Sequence, residues 1–535
     1  MNRHIRATIC WLLSALLLAA TAARVPAVRR AAQARAPRVQ VDLLLRRGKV
    51  VDGSGARARV ADVGITGDRI VFVGDAARAG VQAARTIDVR GLVVAPGFID
   101  PHTHTLEDLS SPERKSNVNY LTQGVTTVVT GNDGSSALSI AGALSRWEQQ
   151  GIGTNAALLA GHATIRRQVL GDADAQPTAV QLAQMKELLA QAMYDGAFGL
   201  STGLYYAPGS YARTEEVVAL AQVAAARGGI YDTHMRDENS YSIGLLGSIR
   251  ETIRIGREAH IPVHISHIKA LGPEVWGQSR EAIRIIRQAQ RAGVAVTANQ
   301  YPYLASGTGL VAALVPRWAE AGGRAEMLKR FDDPQVRPRL VADMEANLKR
   351  RGGAESLLLT TARDPQLVGQ TLGAIAKARQ KSPVEAAIEI IKVSAPNVAS
   401  FNMSEPDVER FMRQRWVMTG SDGSTGHPRK YGTFTHKLRE YVYQRRLITL
   451  PFFVRQSSAL TAATFHIPAR GLLRVGYYAD VIVFDEQTVT DRATYVQPEL
   501  LSVGMRYVIV NGQLAIADGQ PTGTLAGRAL RRNRP

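Results

Sequence analysis

Residues 97–104 read GFIDPHTH, and this stretch decides how the chain is read. A short apolar run ends in an aspartate, a proline and two histidines one residue apart. Side chains on an extended chain alternate with period two, so His102 and His104 face the same way and both imidazoles reach one point. Seven further runs have the same texture: GVTTVVTG at 124–131, NAALLAGH at 155–162, GAFGLSTG at 196–203, GIYDTH at 229–234, IPVHISH at 261–267, GVAVTANQ at 293–300 and RWVMTGSD at 415–422. Helical stretches lie between them. Thr178, with Gln181 in the capping-box position, opens TAVQLAQMKELLAQAMY. Thr214 opens TEEVVALAQVAAARGG, which paired glycines stop. Eight strands alternating with helices predict an α/β fold, a (β/α)8 TIM barrel over residues 98–468. An open doubly wound sheet is the alternative, but no Gly-rich dinucleotide fingerprint follows an early strand.

The flanks differ from the middle. Residues 41–97 contain β-rich runs cut by Gly/Asp turns, and that texture returns over 469–530 with YADVIVFD and YVIVNGQLA. The two chain ends are expected to form one small β-domain. Residues 306–361 break the repeat and are expected to be a helical insertion after the seventh strand.

Residues 1–34 resemble a secretory signal peptide. Arg3 and Arg6 precede an apolar core at 9–20, too short to span a bilayer comfortably, and A-x-A sites occur at 20–22 and 32–34. A retained anchor or an organelle transit peptide is the alternative. Export implies a periplasmic or secreted enzyme with no stable membrane span once the signal is removed. Cys10 is the one cysteine of 535 residues, so the mature chain would have neither disulfide nor thiolate ligand. The formal charge is +19, but six arginines lie in the first 35 residues, which hold no acid, leaving +13 for the rest. The basic residues are scattered without aromatic interleaving, which argues against a nucleic-acid partner and for a small-molecule substrate.

In barrels of this kind chemistry sits at the C-terminal ends of the strands. Five of the 11 histidines fall at predicted strand ends: His102, His104, His162, His234 and His267. Asp133 follows strand two and Asp422 follows strand eight. Imidazole nitrogens and carboxylate oxygens together suit Zn2+, and also Mn2+ or Fe2+. A metal that activates water, beside a carboxylate that moves its proton, is machinery for hydrolysing an amide or a related bond.

PGFIDPHTH resembles the first-strand motif of the amidohydrolase superfamily. The narrower set GVTTVVTGNDG, GHATIR, GLSTGLYYAPGSYA, YDTHMRDE, PVHISHIKALG, NQYPYLASGTGL, GSDG and HPRKYGTF resembles the D-aminoacylase (N-acyl-D-amino-acid deacylase) family over residues 41–530. The resemblance implies hydrolysis of an N-acyl-D-amino acid to a D-amino acid and a carboxylate, with one or two zinc ions. It implies that His234 and His267 hold the firmer metal, that His102 and His104 flank a second position, and that Asp422 is the general base and acid. Tyr205, Lys269 and Arg429 would hold the substrate α-carboxylate; Lys269 lies two residues past His267 and shares its face if the strand continues. In that family a cysteine stands where this chain has Asp133. Asp133 either replaces the thiolate as an oxygen ligand, or leaves a weaker metal centre, or marks a non-catalytic relative. No lysine ends strand four, against a carbamylated-lysine bridge. His162 is expected to support a ligand, His264 to pack on the strand face opposite His267, and His427 to order Arg429; one of Asp232, Arg236, Asp237 and Glu238, which surround His234, is expected to orient its imidazole. A cyclic-amide hydrolase of dihydroorotase or hydantoinase type, a D-residue dipeptidase, and a non-catalytic metal-binding protein stand as alternatives.

Overall fold

The computed structural model describes residues 39–532. The expected signal peptide lies outside the described residues. Eight parallel barrel strands follow one another: β1 (Phe98–Asp100), β2 (Val125–Thr130), β3 (Asn155–Leu158, continued by Ala160–Gly161), β4 (Gly199–Gly203), β5 (Ile230–His234), β6 (Val263–Ile265), β7 (Val296–Gln300) and β8 (Val417–Thr419). The two halves of β3 pair with β2 and β4 respectively. The ring is completed beyond the short ends of β8 and β1: Thr103 bridges Gly423, and the Asp422 N–H donates to the His102 carbonyl at 2.9 Å.

The barrel is packed in layers. Inward side chains from alternate positions, among them Ile99, Val129, Leu159, Ile230 and Met418, meet Phe465 as an apolar floor. On β5 the inward column runs Ile230, Asp232, His234, so polarity rises toward the C-terminal end, while Tyr231 faces the surrounding helices. Helix Ala179–Tyr194 carries the expected Thr178–Gln181 capping box. Thr214 opens the helix Thr214–Ala225 as expected, its hydroxyl donating to Glu251 at 2.8 Å.

The small domain is one nine-stranded sheet built from both chain ends. Val93–Pro96 from the N-terminal part pairs antiparallel with Val481–Phe484 from the C-terminal part. The chain then leaves this sheet, and Gly527 and Ala529 bridge Ile152 and Ala156 at the start of β3. The insertion is longer than expected, and it is not purely helical. Strands Ala305–Gly309, Asn397–Phe401 and Leu357–Leu359 form an antiparallel sheet in that order, and helices between them enclose a separate core around Leu314, Phe331, Met344 and Ile391. Past residue 361 its helices share the 3.6-residue period of the barrel helices, so nothing in the pattern marks where the insertion ends. Pairing across about a hundred residues closes it.

Sheet and barrel are joined by a buried polar knot. Asp480 ion-pairs with Arg470, accepts the Asn511 N–H at 2.8 Å and the Asn155 side-chain amide at 3.1 Å, and Asn511 also bonds Asn155 at 2.8 Å. Removing one partner of a buried ion pair strands the other. Asp480→Ala is therefore expected to cost about 3–5 kcal/mol in urea denaturation; a loss below about 1 kcal/mol, the level of a surface pair, would contradict this role.

Candidate metal centre

The corner Gly131-Asn132-Asp133-Gly134 follows β2. Asp133 has left-handed backbone (φ 55°), flanked by glycines at φ 82° and 75°. A Cβ at Gly131 would stand 2.5 Å from the Leu159 carbonyl oxygen, so the strand can turn here only without one. Asn132 fixes the corner: its amide donates to the Pro101 carbonyl and to Asp232, each at 3.1 Å, and its oxygen faces the Thr103 N–H at 3.3 Å. Asp232 also accepts from Ser266 at 2.9 Å. Burial and the neighbouring Asp133 charge lift the Asp232 carboxyl to about 7.

The result is that one carboxylate faces four imidazoles. Asp133 lies 3.5 Å from His102 Nε2, 3.6 Å from His104 Nε2, 3.8 Å from His234 Nδ1 and 3.6 Å from His267 Nε2. Asp422 joins them, 3.0 Å from His104 Nε2 and 3.5 Å from His102 Nε2. Most of these separations are too long for hydrogen bonds. They approach the spacing of about 3.3 Å between two ligands bound tetrahedrally at 2.0–2.1 Å to one ion. Both nitrogens of His102, Nδ1 of His234 and Oδ1 of Asp133 are buried without a hydrogen-bond partner. Unsatisfied buried donors of this kind are costly unless something pairs with them. A divalent cation would take up Nε2 of His102 and the Asp133 oxygen, and His102, Asp133, His267 and Asp422 together offer one atom each within ligating range of one another.

A second group consists of His234, Glu238 and His267. Glu238, four residues past His234, was expected only as one of several acids that could orient that ring. It stands 3.8 Å from His234 Nε2, 3.1 Å from His267 Nδ1 and 2.6 Å from Lys269 Nζ. Burial opposes its charge, but Lys269 and the two histidines hold its carboxyl well below the usual range. Burial and Lys269 lower the proton affinity of His267, yet Asp422, Glu238 and Asp133 outweigh them and carry it up to about 9. His102, dominated by burial, falls to about 4 and is neutral.

Asp422 (φ 47°) is aimed from the β8–β1 seam. Asp100 holds that seam, accepting the N–H groups of His102 at 3.1 Å and Ser421 at 3.0 Å. Arg429 Nη1 pairs with Asp422 at 2.8 Å; despite burial, this guanidinium and His267 keep the carboxyl ionised far below its ordinary range.

Several expected placements change. Strand β6 stops at Ile265, so Lys269 does not reach the site by continuing the strand; a turn through His267 (φ 34°) brings its Nζ to 2.8 Å from His267 Nδ1. The same turn resets the alternation. His264 packs as expected, but on the inward face with His267, in register with Asp232, bonded to Thr297 and Asn299 and against Phe465. His162 bonds Glu216 at 2.8 Å instead of supporting a ligand. Tyr205 lies with its ring 5.7 Å from His234, but its hydroxyl donates to the Ala312 carbonyl at 2.7 Å in the insertion. His427 does order Arg429, accepting its backbone N–H at 3.1 Å. Tyr206, 4.7 Å from the His234 ring, and Tyr301, whose face receives Arg429 at 4.6 Å, were not singled out.

The Amidohydrolase family model matches residues 85–516. The chain belongs to this family. Within it, the chain is 37% identical over 520 residues to a D-aminoacylase of Alcaligenes xylosoxydans xylosoxydans, covering 92% of this chain and 98% of the relative. It is 35% identical to an N-acyl-D-glutamate deacylase of the same organism, over 92% and 97%. A crystal structure of D-aminoacylase superposes with a TM-score of 0.79 at 35% identity, over 92% of this chain and all of that one. An N-acyl-D-glutamate deacylase from Bordetella bronchiseptica, solved with zinc and a phosphonate mimic of the tetrahedral intermediate, superposes at 0.78 and 32%, over 92% and 100%. The chain is thus an amidohydrolase of the D-aminoacylase group.

In this amidohydrolase Asp133 touches every histidine of the cluster. Elemental analysis of the purified protein and of Asp133→Ala is expected to find one or two transition-metal ions in the first and at least one fewer in the second. Equal metal contents would remove Asp133 from the ligand set.

Proposed function

We propose that this protein hydrolyses the amide bond of N-acyl-D-amino acids, releasing a D-amino acid and a carboxylate. The observation that carries this is the set of unpartnered imidazole and carboxylate atoms around Asp133 beside an ionised Asp422, in a chain similar over nine-tenths of its length to three curated deacylases. Hydantoinase structures share the fold at 17% identity and a TM-score of 0.54, which gives the cyclic-amide reading no support beyond architecture.

His102, His104, Asp133, His234 and His267 would hold the metal, with Glu238 and Asp422 at its edge. We favour zinc, one ion or two, with Mn2+ or Fe2+ admitted by the harder oxygen of Asp133. When bound, such an ion acidifies water and polarises the scissile carbonyl. The chain's own residues do the rest. Asp422 accepts a proton from the water as its oxygen bonds to the carbonyl carbon, and returns that proton to the nitrogen as the C–N bond breaks. Arg429 keeps Asp422 ionised before the first transfer. Arg429 Nε has no partner, and Lys269 bonds only Glu238 and His267, so each retains an N–H for the α-carboxylate next to the scissile nitrogen. Tyr205 contributes its ring as a wall, stacked toward His234.

The N-terminal basic start, apolar core and A-x-A sites support export to the periplasm or beyond. No helix among the described residues is long and apolar enough to cross a membrane.

Asp422→Asn is expected to lower kcat on an N-acetyl-D-amino acid by at least about 10^2-fold, the scale of lost general acid–base catalysis, with metal content unchanged. Full activity of the variant would exclude Asp422 as the proton carrier. No turnover of any N-acyl-D-amino acid by the metal-loaded wild type would exclude the deacylase reading.

A further inference from the structure

Lys269 and Arg351 line the inner cavity at the metal cluster, Arg429 stands behind its Asp422, and two of these three cations are already neutralised. Lys269 is paired with Glu238, and Arg429 with Asp422. The third is Arg351, which the insertion supplies just past the helix Arg337–Arg350. It is 2% exposed. Its Nη2 donates to the Tyr205 hydroxyl at 3.0 Å, its Nη1 reaches Ser400 Oγ only at 3.5 Å, and its Nε has no partner. No carboxylate among the described residues forms an ion pair with it. The rings of Tyr205 and Tyr241, at 6.0 and 5.8 Å, are its remaining electron-rich neighbours.

A buried guanidinium without a counter-charge is strongly disfavoured, and a substrate carboxylate is the partner it fits best. Its position says which carboxylate. The α-carboxylate carbon lies two bonds from the scissile nitrogen and must sit beside Asp422, where Lys269 and Arg429 already are. Arg351 enters the same cavity from the insertion, 6.0 Å from the ring of Tyr205, which itself stacks 5.7 Å from His234. A second, larger cavity of about 440 Å³ shares Tyr205 with the first and is lined by Tyr241, Arg317 and Trp318; it includes none of the clustered histidines and offers room for the distal part of a substrate.

We propose that Arg351 is a specificity-determining residue that binds a second carboxylate of the substrate, remote from the α-carboxylate, so that the preferred substrates are dianionic N-acyl-D-amino acids. The second carboxylate belongs either to an acidic D-side chain or to a dicarboxylic acyl group. This rests on the deacylase reading above.

The test compares kcat/KM of the metal-loaded enzyme on N-acetyl-D-glutamate, on its neutral isostere N-acetyl-D-glutamine, and on N-succinyl-D-leucine against N-acetyl-D-leucine. The wild type is expected to favour the dianion at least about tenfold in one of the two pairs, and the favoured pair identifies the carboxylate. Arg351→Met is expected to abolish that ratio mainly through KM, leaving the neutral member within about threefold of wild type, and Arg351→Lys to restore part of it. Because the ratio is taken within one preparation, partial misfolding of a variant does not alter it. If both wild-type ratios are near one, the proposal fails while the deacylase reading stands. It fails too if Arg351→Met weakens both members of a pair equally, which would make Arg351 an α-carboxylate or structural residue. Absence of turnover on all four compounds overturns both readings together.

Discussion

The site depends on one carboxylate held where four imidazoles converge. Asp133 is 3.5–3.8 Å from His102, His104, His234 and His267, which arrive from β1, β5 and the turn after β6. Among the described residues nothing hydrogen-bonds either nitrogen of His102, Nδ1 of His234 or Oδ1 of Asp133, and burying such atoms unmatched is costly. The left-handed corner that carries Asp133, and the Asn132–Asp232 bonds that brace it, give up regular strand geometry to aim this side chain. His267 and Asp422 also lie at positive φ, so three of the converging residues leave their strands through a sharp local turn.

The rest of the fold keeps those turns in place. An apolar floor fills the lower barrel, and the Asp100 carboxylate clasps the β1–β8 seam from which both His102 and Asp422 project. The small domain is tied to β3 through Asp480, Asn511 and Asn155. The insertion, with its own core, closes over the opposite side. It lends the Ala312 carbonyl and Arg351 to the Tyr205 hydroxyl, so a segment that does no chemistry shapes what can enter.

Much of this was legible in the sequence. Eight apolar runs, five of them ending in His or Asp, announce a barrel with a polar rim, because alternation along a strand needs only local sequence. The His102–His104 pair and the Asp133 corner follow from the same logic. What was hidden depends on turns and on distant contacts. His267 leaves its strand two residues early, which brought Lys269 to the site by an unexpected route and put His264 on the inner face. Glu238 stands in an acidic cluster where spacing alone cannot choose among Asp232, Asp237 and Glu238. Arg351 ends the run LKRR, which reads as ordinary positive charge at a helix C-terminus, and only the fold of the insertion turns it inward.

The most direct test of the arrangement around Asp133 is a crystal structure of the metal-loaded protein with anomalous diffraction at the edge of the bound metal. The expected result is an anomalous peak with an Asp133 carboxylate oxygen at about 2.0–2.2 Å and imidazole nitrogens at about 2.0–2.1 Å. An ion held by the histidines alone, with the Asp133 carboxylate turned out of coordination distance, would contradict it.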